Sequence, residues 1–149
     1  MIAKNVFALV VFSLISIFSV VAQEFKVVTI VESIVPAGIG RSRMIESKQK
    51  VDYKNFTTER TDGTKSDQSD IKREDIKIDN FQETKLLNFY SIAGINFQNI
   101  ASNDAVISSK INELSVEGWQ LLFVTSGVES DGGKGDGNGI FITRLIFKK

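Results

Sequence analysis

Asn103–Glu117 reads NDAVISSKINELSVE, and Gly118 and the run Trp119–Ser130, WQLLFVTSGVES, follow it directly. Ile107, Ile111 and Leu114 recur at helical spacing with Val106 beside them. Lys110, Asn112, Glu113 and Glu117 fall on the other side, so a helix is expected over 103–117. Ser102 or Asn103 would cap it, and Asp104 suits its first turn. Gly118 fits the left-handed position just past a helix end. The chain then turns straight into a strand, where Trp119 can bury a large ring at the corner, so Gly118 and Trp119 read as structural residues. Ile140–Lys148 (IFITRLIFK) is a second strand, and 131–139 (DGGKGDGNG) joins the two into a hairpin.

Upstream, Phe25–Val35 (FKVVTIVESIV) is rich in β-branched residues and stops at Pro36, the only proline, which marks a strand and a turn. From Arg41 to Asn80 the composition changes to ten basic and nine acidic residues. Thr57–Asp70 has no bulky apolar side chain, so too little surface can be buried there to offset ordering entropy. The stretch 41–80 is therefore expected to be a charged, partly disordered insertion, with 50–56 and 71–78 as a ragged hairpin around its tip. Lys85–Tyr90 (KLLNFY) reads as a short strand, with a helix over 79–90 as the alternative. Ser91–Asn99 reads as a connector. The expected fold is α+β: one domain over 23–149, with a small, mainly antiparallel sheet of three to five strands on one main helix.

The N-terminus carries its own message. Lys4 precedes an apolar run over Val6–Val21, and Val20-Val21-Ala22 offers small residues for cleavage. Residues 1–22 are thus expected to be a signal peptide, with an uncleaved anchor as the alternative, and the protein to be exported to the periplasm or secreted. Without Lys4 the chain holds 17 basic and 18 acidic residues. That balance argues against nucleic acid or an anionic membrane as partner, and no stable span is expected after cleavage. With no cysteine and no histidine, Ser-His-Asp and Cys-His triads and thiolate or imidazole zinc sites are excluded, which leaves carboxylate, Lys, Tyr or Ser chemistry and oxygen-ligand metals. No disulfide or lipid anchor is available either.

Glu117-Gly118-Trp119-Gln120-Leu121, the glycine-rich gap after it and the closing Phe147-Lys148-Lys149 resemble the small bacterial family known as domain of unknown function 4177. Its members show a helix ending in E-G-W-E-L, a strand, a variable loop and a basic final strand. The opening Phe25–Val28 is similar to that pattern too. The resemblance covers the first strand and roughly the last 45 residues, not the charged stretch, and Gln120 stands where a glutamate is usual. It implies the fold and carries no activity.

Few side chains are candidates for chemistry. Arg41 and Arg43 follow a glycine turn over 38–40 and could contact an anion or a partner. Asp131, Asp136 and Asn138 are oxygen ligands for calcium, although the calcium-loop registers fail and the loop reads first as a flexible hairpin tip. Arg144 interrupts an apolar strand face, as an edge-protecting charge would. Glu32, Glu117 and Glu129 are the acids a hydrolase would need to bring together. Asn55-Phe56-Thr57 is a formal glycosylation sequon. No cofactor other than that calcium is expected.

The strands are apolar on both faces. Phe141, Leu145 and Phe147 oppose Ile140, Ile142 and Ile146, and Val27 and Val31 oppose Val28 and Ile30. One helix covers one face. The other is expected to need Leu86–Ile100 across it, a homodimer, or another protein. The expected function is accordingly a non-enzymatic, exported module that binds a protein or envelope component. A small-ligand or calcium-dependent binding domain using 131–139 is the alternative, and a carboxylate-dependent hydrolase a third.

Overall fold

The computed structural model describes residues 22–33, 41–129 and 139–149. The expected signal peptide at 1–22 up to residue 21, the expected turn at 36–40 and the expected loop at 131–139 up to residue 138 lie outside the described residues. Seven strands are described: β1 Phe25–Ser33, β2 Arg43–Ser47, β3 Phe81–Lys85, β4 Tyr90–Ser91, β5 Gly94–Ile95, β6 Gln120–Glu129 and β7 Ile140–Lys148. Five form one antiparallel sheet in the order β3-β2-β1-β7-β6, and β4 and β5 form a separate small hairpin. Single-turn α1 (Arg73–Ile76) and the main helix α2 (Phe97–Val116) complete the order. The α+β expectation of a small antiparallel sheet on one helix is met.

Strand parity decides the layers. Val28 and Ile30 of β1, Met44 of β2 and Leu145 and Phe147 of β7 point to one side. There they bury against Leu114 of α2, Leu86 and Trp119, with Val106, Ile107 and Ile111 packed around them. Burying these side chains supplies most of the driving force for folding.

The helix begins six residues before the expected start. Asn96 caps it, its side-chain oxygen accepting from the Asn99 N–H at 3.1 Å. The supposed cap, Asn103, is instead a buried residue on the inward stripe, with Lys110 seven positions on and Leu114 beyond. Polar residues on the buried side blurred the period. The helix ends as expected. Gly118 adopts φ +90°, the Gly118 N–H bonds the Ser115 carbonyl at 3.0 Å and the Trp119 N–H bonds the Leu114 carbonyl at 2.9 Å. This paired closure satisfies two carbonyls and brings Trp119 into the buried core that also holds Leu114.

Other expectations need correction. Arg43–Ser47, assigned to the charged insertion, is a strand at the heart of the sheet, paired with β1 and β3. Residues 50–56 and 71–78 form no hairpin; they hold a 3-10 turn at Tyr53–Phe56 and α1, with a second 3-10 turn at Asp67–Asp70. The strand expected at 85–90 lies at Phe81–Lys85, and no helix spans 79–90. Leu86–Ile100 does not cross the second face. Leu86 joins the helix-side core, and Phe89 packs its ring 5.7 Å from that of Phe141, a residue of the helix-side row.

Among the described residues nothing covers the second face. Val27–Ile146–Phe123, Thr29–Arg144–Thr125 and Val31–Ile142–Gly127 run across β1, β7 and β6 as neighbouring rows. Apolar and polar rows thus alternate. Arg144 is exposed on this face, but β7 lies between β1 and β6, so it guards no sheet edge. Among the described residues no helix is long and apolar enough to cross a membrane.

Candidate functional site

Two features stand out: a buried charge cluster between sheet and helix, and the bare edge of β6. The cluster centres on Glu46, whose side chain on β2 is 3% exposed. β1 presents Lys26 Nζ at 3.0 Å from Glu46 Oε1, and the chain just after β2 presents Lys48 Nζ at 2.9 Å from the same oxygen. From α2, Lys110 Nζ lies 2.8 Å from Oε2 and 3.1 Å from Glu113 Oε1. The Oε2 contact is one of charge, since no well-angled hydrogen bond reaches that buried atom. Lys26 also sits 4.6 Å over the Trp119 ring, with Lys149 at 5.9 Å, so cation–π attraction ties the cluster to the helix end.

Charge and burial compete here. Burial alone would push the Glu46 carboxyl up; the ammonium groups of Lys110, Lys48 and Lys26 outweigh it and hold it down at about 2. Burial would likewise lower Lys110, but Glu46 and Glu113 raise it above the ordinary lysine value. Near neutral pH the carboxylate is therefore ionised and the lysine charged. Neither is poised to exchange protons, and a charged ammonium is no nucleophile. A cleft of about 360 Å³ lies beside them, lined by Met44, Gln82, Thr84, Val106 and Ser109 among others. The cluster is a tie between three elements.

A second polar network fixes the far end of the helix. Asn103 Nδ2 donates to Glu32 Oε1 at 2.9 Å and to the Leu87 carbonyl at 2.8 Å, and its Oδ1 accepts from the Leu87 N–H at 2.8 Å. Ser42 Oγ donates to Asn88 Oδ1 at 2.7 Å and accepts from the Ser33 N–H at 2.9 Å. These bonds satisfy groups that would otherwise be buried without partners.

The expected site residues are scattered. Arg43 pairs with Glu83 at 2.9 Å across β2 and β3, and Arg41 is exposed just before β2. Asp131, Asp136 and Asn138 lie outside the described residues. Gly118 and Trp119 sit at the helix-to-strand corner. The three acids do not meet. Glu32 pairs in register with Phe141 and Glu129 with Ile140, which places them on opposite faces, whereas Glu117 adjoins the other end of the sheet. Among the described residues no three acidic side chains gather as a ligand set. Asn55 is exposed in its 3-10 turn.

β6 is the other feature. All ten of its residues are exposed, including Phe123 at 59% and Val124 at 48%. Among the described residues only β7 pairs with it, so its outer edge presents unpaired backbone groups. It carries no charge before Glu129 and no proline. β3, at the opposite edge, is half as long and carries Glu83 and Lys85. Short, charged edges resist strand addition; long, uncharged ones invite it.

No family model, no curated protein and no solved structure matches the chain. Sequence inspection missed the Glu46 cluster, whose lysines lie far apart in the chain and share no motif.

Proposed function

We propose that this chain is an exported, non-catalytic binding module that takes up a protein strand along β6 and the adjoining outer face of its sheet. The observation that carries this reading is the ten-residue β6, exposed throughout, unpaired on one side among the described residues and without charge until Glu129. An added strand would satisfy its backbone groups, and side chains at alternate positions would give selectivity. The leader-like Lys4 and Val6–Val21 support export. The resemblance to domain of unknown function 4177 supports the helix, corner and strand and adds no activity. The ionised Glu46 and charged Lys110 favour a structural role for the cluster.

The test is a photoreactive residue placed at Val124 in the full chain, in producing cells, with the same residue at Gln82 of β3 as control. Covalent adducts to protein are expected from Val124 and none from Gln82. Absence of adducts at Val124, or equal yields at both edges, would overturn the proposal.

A further inference from the structure

β6 has a shape that fits itself. On its outer face Phe123, Thr125 and Gly127 succeed one another, opposite Ile146, Arg144 and Ile142 of β7. Phe123 projects a ring into solvent. Four residues on, Gly127 leaves open space where a side chain would stand. A depression of about 550 Å³ surrounds it, floored by Thr125, Gly127 and Ile142 and bordered by Arg144 and Glu129. One strand thus carries both a ring and a hollow, two positions either side of Thr125.

Antiparallel pairing about a two-fold axis through Thr125 brings these together. Residues opposite each other must point to the same face, and over Phe123–Gly127, past the bulge in β6, this register obeys that rule. It sets Phe123 of each copy against Gly127 of the other, where an aromatic ring covers a strand glycine. It sets Thr125 against Thr125, a favourable cross-strand pair. On the helix side Val124 meets Ser126. Glu129, the one charge in the strand, lies on the outer face four residues from the axis, beyond the paired stretch 123–127, so no like charges oppose. A two-fold axis perpendicular to the sheet keeps both helices on one side and yields a continuous ten-stranded sheet. Such isologous contacts are the commonest way for one chain to associate with itself.

We infer that the occupant of the β6 edge is a second copy of this chain, joined through β6 with Phe123 seated over Gly127. This rests on β6 being the docking edge and names what docks there. The test is the mass in solution by light scattering, together with single cysteines in a chain that otherwise has none. The unmodified protein is expected to have the dimer mass. Thr125→Cys should form a disulfide-linked dimer on oxidation, because directly opposed strand residues lie within disulfide reach. Gln82→Cys should not. Gly127→Phe fills the hollow and Thr125→Lys sets like charges face to face, so each should weaken association by about tenfold or more with an unchanged circular dichroism spectrum. A monomeric unmodified protein, or a dimer indifferent to both substitutions, would overturn the inference. Should a monomer still give Val124 adducts to a different protein, the docking edge stands and the second copy falls.

Discussion

Replacing Lys110 with alanine is expected to lower the unfolding free energy by about 3 kcal/mol, the lower end of what breaking a buried ion pair costs. Glu46 would keep Lys26 and Lys48 on Oε1, but Oε2 would lose the cation that sits 2.8 Å from it while remaining buried. Retention of those two lysines keeps the loss from being larger. In a domain of this size the midpoint of thermal unfolding should fall by roughly 10 °C. Removing both charges is a different experiment. Glu46→Leu with Lys110→Leu leaves no uncompensated ion in the core, and such replacements are often neutral or stabilising. Lys26 and Lys48, partly exposed already, can return to water. The double variant should lie within about 1 kcal/mol of the parent. A loss below about 1 kcal/mol in Lys110→Ala would show that the cluster does not tie the helix to the sheet.

Acid should dismantle the same tie. The Glu46 carboxyl sits at about 2, against an ordinary 4.5 in the unfolded chain. Because the folded protein binds this proton less readily, the stabilisation is fully present above pH 4.5 and drains away as pH falls towards 2. The gap corresponds to about 3 kcal/mol over that window. Urea unfolding at successive pH values would measure it. The parent should lose about that much more stability than the Glu46→Leu, Lys110→Leu variant, whose other carboxylates titrate alike. Parallel profiles for the two proteins would mean that Glu46 holds its proton normally.

The parts of this fold that were legible from sequence share one property: apolar side chains dominate the pattern there. The hairpin of β6 and β7, the first strand and the glycine closure of α2 all have it. Apolar rows on both faces of the sheet were legible as well, although on the second face a polar row separates them. The parts that were missed are those where polar residues are buried. β2 places Met44 and Glu46 inward amid Arg43, Lys48 and Lys50, so its composition resembled that of a solvated loop. Asn103 and Lys110 occupy the inward stripe of α2, and a scan for apolar spacing starts the helix too late. Their spacing of seven residues, two helical turns, placed them on one face with Leu114. What no local pattern carried was that Glu46 would gather lysines from three elements.

The edge of β6 is where structure adds most, since a strand's sequence does not say whether it ends a sheet. Hydrogen exchange on the isolated, assembled protein tests this directly. If β6 is a covered edge, its amides pointing away from β7 should exchange slowly in the parent and quickly in Thr125→Lys, with β1 and β7 unchanged. Equally rapid exchange of those amides in both proteins would contradict the account.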